Sequence, residues 1–208
     1  MSFSSIVRSR AIPRCAGIVL ALAGLLVLPG CWVESVNPLY EHGFLSSKDT
    51  DVVLDQRLTG SWSSAADDKC TITLTVSAKD DVYALDSTEQ GEGCESAGEK
   101  SRYQARLVKL DTHLFLDVSP VPDDVCDECL AKHTIYQAKI DKDSFSLIPI
   151  DSEWLKDALE QKRVALATLP DDSDMLTAST KDLKTFCRKY ADDPAAFKPV
   201  PALAFRRK

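Results

Sequence analysis

Apolar and polar residues alternate with a period of two through the middle of the chain. Cys70, Ile72, Leu74 and Val76 alternate with Thr71, Thr73 and Thr75, the pattern of a half-buried strand built from β-favouring residues. Lys79, Asp80 and Asp81 supply a turn and residues 82–87 a return strand. After an acidic loop with three glycines (89–100), Tyr103, Ala105 and Leu107 alternate again, Asp111 and Thr112 turn, and 113–118 follow. A second long loop (119–132) leads to Tyr136, Ala138 and Ile140, a turn at 141–143 and a partner over 145–150. Residues 164–168 and 174–177 read as two more short strands.

Helical spacing is confined to three places. Val53, Leu54, Arg57 and Leu58 predict a short helix within 51–58. Trp154, Leu155, Ala158 and Leu159 form one apolar stripe behind a cap at Ser152. Leu183, Phe186, Cys187 and Tyr190 lie at i, i+3, i+4 and i+7 behind Ser179-Thr180-Lys181-Asp182, which has the form of a capping box. Short strands joined by regular turns predict a mainly β fold. The expected architecture is an antiparallel meander of about eight strands closed into a barrel or strongly curved sheet. One helix should precede the last strands, and a C-terminal helix should pack on the sheet.

The first thirty residues follow a different rule. Arg8, Arg10 and Arg14 precede an uncharged apolar run over 15–28, the charge and length pattern of a secretory signal peptide. The run is shorter than the roughly 20 residues that span a bilayer. Leu28, Pro29, Gly30 and Cys31 close it and resemble the lipobox of bacterial lipoproteins, with Leu28 at −3, Gly30 at −1 and Cys31 at +1. The resemblance implies cleavage after Gly30, a diacylglycerol on the Cys31 thiol and an acyl chain (palmitate or similar) on its new amino group. Two or more chains anchor durably where one does not. Trp32 at +2, in place of the aspartate that enterobacterial sorting retains at the inner membrane, points to the outer membrane. The segments expected are a signal peptide over 1–30, a lipidated tether over 31–50, one globular domain over 51–198 and a tail over 199–208.

Three of the 25 basic residues and none of the 32 acidic ones lie in that signal, so the mature part holds 22 against 32, a balance of −10 in place of −7. An acidic surface excludes the phosphate neutralisation that nucleic-acid binding requires and leaves membrane attachment to the lipid. Five of the seven cysteines remain: Cys70, Cys94, Cys126, Cys129 and Cys187. Outside the cytoplasm disulfides are the default. Cys70 and Cys94 are expected to pair, because the turn at Asp80 brings the return strand back beside Cys70. Cys126 and Cys129 are expected to staple their loop, to each other or one of them to Cys187.

Gly60-Ser61-Trp62 resembles the Gly-x-Trp that opens the first strand of lipocalins and related calycins. The resemblance implies a barrel with Trp62 at its floor, a short helix before it, a longer helix late in the chain and a small hydrophobic ligand in the mouth. Trp62, Tyr83 and Tyr103 are the candidate lining residues. Around Leu176-Thr177-Ala178-Ser179-Thr180 the chain also resembles small bacterial lipoproteins of undefined activity.

No motif nominates a reaction, and no cofactor is implied. Cys126-Asp127-Glu128-Cys129 has the spacing of a redox motif, but its carboxylates disfavour the thiolate that catalysis needs. Cys126, Cys129, His133 and Cys187 have zinc-like spacing, with oxidation competing. His113 and His133 read as surface or core histidines. Asp171, Asp172 and Asp174 lack the glycine and closing glutamate of a calcium loop. The expected function is non-catalytic binding at the cell envelope. The occupant is either a small hydrophobic molecule or, with a solid core, another envelope protein.

Overall fold

The computed structural model describes residues 32–41, 49–65, 69–94, 97–121 and 132–208. In chain order the strands and helices are β1 (Glu34–Ser35), β2 (Val52–Val53), β3 (Gly60–Ala65), β4 (Thr71–Lys79), β5 (Val82–Gln90), β6 (Lys100–Leu110) and β7 (His113–Pro120). There follow β8 (His133–Ile140), β9 (Ser144–Pro149), α1 (Ser152–Glu160), β10 (Thr168–Leu169), β11 (Asp172–Leu176), α2 (Thr180–Tyr190) and β12 (Ala204–Arg207).

Eight of the strands close into an antiparallel barrel. β3 to β9 pair in sequence with their neighbours except that β12 comes between β9 and β3, bonding both. Two-residue hairpins join β4 to β5 and β6 to β7, with Asp80 and Asp111 at positive φ. Aspartate tolerates that left-handed backbone, and the twist of such turns matches that of the strands. A barrel leaves no exposed edge among its eight strands.

Alternation splits the strands between two cores. Trp62, Leu74, Tyr83, Leu107, Tyr136, Phe145, Leu147 and Phe205 point inward with their neighbours and are buried. Val108, Phe115, Ile135 and Ile148 point outward from the same strands and, with Ile150 just after β9, are also buried, under Leu155 and Ala158 of α1 and Leu183, Phe186 and Cys187 of α2. The run Phe115-Leu116-Asp117-Val118 is therefore buried at every position, as expected for a strand covered on both faces.

Sequence reading and structure differ at the edges. The last two strands expected, 164–168 and 174–177, lie outside the barrel: β10 and β11 join β1 in a small extension from the start of β8. The strands that begin and close the barrel are instead β3 and β12, the latter drawn from the expected tail. α2 is thus followed by a strand rather than ending the fold. The short helix of 51–58 reduces to one 3-10 turn, Gln56–Leu58, capped by Asp55. Asp151 caps α1, one residue before Ser152. The Ser179–Asp182 pair caps α2 as expected.

The expected tether over 31–50 is also different. Residues 32–41 belong to the domain: Val33, Ser35, Leu39 and Tyr40 are buried, β1 pairs with β8 and β11, and Asn37 donates to the carbonyls of Thr177 and Ala178. The described residues of that segment thus pack with the barrel and helix layer.

Candidate functional site

The two ends of the barrel are built differently. At the end where β3 starts, the floor, the 3-10 turn lies under the barrel. Trp62 donates from Nε1 to the carbonyl of Leu58 at 2.8 Å, and its ring meets Phe145 edge to face, 4.8 Å between centroids. Tyr83 accepts at its hydroxyl from the Asp55 backbone N–H (2.7 Å) and donates to the Asp55 carbonyl (3.2 Å). Burial pushes the Tyr83 phenol up. Arg207, from β12, lies 4.2 Å over the Trp62 ring and donates to the carbonyls of Thr59 and Arg57. Gly60 stands at φ 127°, and a Cβ there would meet Arg207 Nη1 at 2.6 Å. The glycine is what lets the guanidinium pass. Arg57 holds Asp55 with charge-assisted bonds down to 2.6 Å, and these lower the Asp55 carboxyl. Trp62 and Tyr83 thus use their polar atoms to close the floor.

Between floor and mouth, buried side chains of the described residues occupy the interior. Leu58, Leu74, Val76, Tyr83, Leu85, Leu116, Phe145 and Leu147 enclose a cavity of about 10 Å³, the room of about one water molecule. Ligand pockets run to roughly 300 Å³ or more.

The mouth is the end where β4 begins and β5 ends. Cys70 and Cys94 form a disulfide there, Cα–Cα 5.0 Å, closing a separation of 24 residues. Glu89 is buried beside it, its carboxylate within 4.8 Å of both sulfurs. Tyr103 is nearly buried at the same end, its phenol pushed up by burial. Trp32 packs onto the barrel core, 6.1 Å from the Tyr136 ring. The loop-entropy relation gives the disulfide about 3 kcal/mol. Cys70→Ser with Cys94→Ser should therefore lose about that much in urea unfolding, and an unchanged midpoint would remove the disulfide from the stability account.

The other expected ligands do not assemble among the described residues. Cys126 and Cys129, like Gly30 and Cys31, lie outside them. His133 is committed through Nδ1 to Asp117 at 2.7 Å, outside the barrel rather than in it. Cys187 is free and fully buried on the inner face of α2, and burial, followed by the Asp117 charge, pushes its thiol up. A protonated thiol in an apolar core is neither nucleophile nor ready metal ligand. Asp172 accepts from the Asp174 backbone N–H at the exposed start of β11. His113 lies 3.4 Å from Asp192.

Two polar clusters were not foreseen. Asp117, 1 % exposed, accepts from the Leu39 backbone N–H at 2.6 Å as well as from His133. Tyr40 meets the His133 ring edge on, and Arg106 covers Tyr40 at 4.4 Å. Lys184, on α2, donates to Asp49 and Asp51 at 2.8 Å each. Both clusters pin the N-terminal segment to the barrel and helix layer. The signal for the first was an acid inside an apolar strand, and for the second a lysine beside the apolar stripe of a helix. Among the described residues no helix is long and apolar enough to cross a membrane. Comparison with protein-family models, with curated proteins and with solved structures finds nothing similar to this chain.

Proposed function

We propose that this chain is a lipoprotein of the bacterial envelope, cut after Gly30 and acylated on Cys31, whose calycin-like barrel serves as a rigid, non-catalytic module for binding an envelope protein. The tight packing of the described interior residues carries the choice of partner over ligand. A space of about 10 Å³ is more than an order of magnitude below what a small apolar molecule requires. The anchor rests on the sequence, where basic residues, apolar run and Cys31 stand in the order that export and lipidation read. The outer membrane is the preferred location by the residue at Trp32, and the mature balance of −10 favours a basic partner surface over nucleic acid.

An apolar fluorescent dye titrated into residues 32–208 should show no saturable brightening. One-to-one binding that a Tyr83→Ala variant changes would restore the small-ligand reading.

A further inference from the structure

We propose that Cys70, Cys94 and Glu89 form a redox-gated metal site, closed as a disulfide and opened by a dithiol reductant to take a thiophilic divalent ion of the zinc kind. The inference goes beyond the partner-binding reading and does not depend on it. Each of the three residues brings one ligand atom within 4.8 Å of the other two. Two sulfurs and a carboxylate oxygen, with water in the fourth position, are a donor set that zinc takes. Bonds of about 2.3 Å to sulfur and about 2.1 Å to oxygen put tetrahedral ligand atoms roughly 3.6–3.8 Å apart. The spread in the oxidised fold exceeds that by about 1 Å.

The backbone holds the sulfurs together whether or not they are bonded. Glu89 stands near the end of β5, paired with Ile72 of β4, and the chain beyond it folds back over the residues that lead into β4. Gly93 donates from its backbone N–H to the Lys69 carbonyl at 3.1 Å, Cys94 to the Gly91 carbonyl at 3.4 Å and Gly98 to the Glu89 carbonyl at 2.8 Å. Gly91 stands at φ 132°, and a Cβ there would overlap the Lys69 carbonyl oxygen. Only glycine lets the turn close so tightly beside Cys70. None of these contacts uses the S–S bond, so reduction leaves three ligands already gathered, and pre-organised ligands bind at lower cost. Glu89 is 6 % exposed, which fixes its carboxylate, whereas both cysteines are half-buried and open to a reductant and an ion.

The chemistry balances. Two electrons and two protons pass from the dithiol to the disulfide, leaving two thiols on the protein and the reductant as its own disulfide. The ion then displaces one proton from each thiol to solvent. A carboxylate alone disfavours thiolates beside it, and a bound cation reverses that.

Cobalt(II) titration tests this on the full chain in detergent, with Cys126→Ser and Cys129→Ser removing the other candidate ligand pair. The protein is reduced with dithiothreitol, which is removed under nitrogen, and circular dichroism follows the fold. The reduced chain should take one Co²⁺, with sulfur-to-cobalt charge-transfer absorption and the visible bands of a tetrahedral site, and release it to one Zn²⁺. The oxidised chain should show neither. Cys70→Ser should lose the tetrahedral bands, and Glu89→Gln should bind about tenfold or more weakly, at least the loss seen when an outer partner of a metal ligand is disturbed. A reduced chain without charge-transfer absorption overturns the site, whether the barrel persists or unfolds. So does a spectrum that survives Cys70→Ser, or an affinity that Glu89→Gln leaves unchanged.

Discussion

A chain ending at Leu203 should not form the barrel. β12 is only four residues long, yet it bonds β3 and β9 at once: Phe205 opposes Ser64 on one side and Phe145 on the other. Its loss would open two edges and remove two side chains from the floor. Phe205 is 1 % exposed and stacks on Phe145 at 4.8 Å. Arg207 covers Trp62. Truncating a buried phenylalanine to alanine costs about 3–5 kcal/mol, a large part of the roughly 5–15 kcal/mol that holds a domain folded. The expected outcomes are no cooperative unfolding transition for the deletion of 204–208 and a midpoint far below the parent for Phe205→Ala. Arg207→Ala should cost less, about 1–3 kcal/mol from lost ring contact and hydrogen bonds. A deletion that melts like the parent would mean that the barrel closes without β12.

The second large effect is expected at Lys184. Its ammonium is 9 % exposed and bonds Asp49, 6 % exposed, and Asp51. Burial opposes the charge on Lys184, but its bonds to the two carboxylates outweigh that and raise it. Burial likewise opposes the Asp49 carboxylate, and the bonds from Lys184 and from the backbone N–H groups of Glu41 and Asp51 outweigh it and lower it. Removing one partner of a buried pair strands the other, at about 3–5 kcal/mol. Lys184→Met should lose stability on that scale, more than Asp49→Asn with Lys184→Met together.

Acid titration adds a signature with a defined sign. Asp49 is lowered in the fold, so its contribution is complete above the ordinary carboxylate value of about 3.9 and is lost as pH falls through the folded value. Lys184 is raised, so its contribution is complete below the ordinary lysine value of about 10.4 and is lost as pH rises through the folded one. The parent should therefore lose more stability between about pH 4 and pH 2 than the double variant does. Equal acid slopes would show that the pair is not coupled to folding.

The barrel's middle was legible because its strands repeat a short-range rule. Ile72, Leu74 and Val76 alternate with threonines, and Asp80 and Asp111 stand at two-residue turns, so each hairpin is readable from its own residues. Closure was not. β3 offers one large apolar residue, Trp62, among serines, and β12 offers Phe205 between Ala204 and two arginines. Neither strand has enough alternation to announce itself, and each is specified by the strand it meets across the barrel. Residues 164–168 misled in the opposite way. Val164 and Leu166 are buried, but against the outer core in the segment between α1 and β10 rather than in a barrel strand. For the site, Gly60-Ser61-Trp62 located the floor while giving no sign that Arg207 would complete it. Tyr83 looked like a lining residue because a tyrosine facing inward is the same in sequence whether the interior is hollow or filled. The Cys70–Cys94 pairing was readable from one hairpin, whereas Asp117 with Leu39 spans 78 residues and leaves no local pattern.

The most direct test is mass analysis of the full-length chain extracted from its own membrane, first native and then denatured. The denatured mass should equal residues 31–208 with acyl and glyceryl groups on Cys31, and the native mass of each barrel should exceed it by no small apolar molecule. A denatured mass that retains residues 1–30 or lacks acyl groups would contradict the anchor. A few hundred daltons lost on denaturation would contradict the filled barrel and make this chain a ligand carrier.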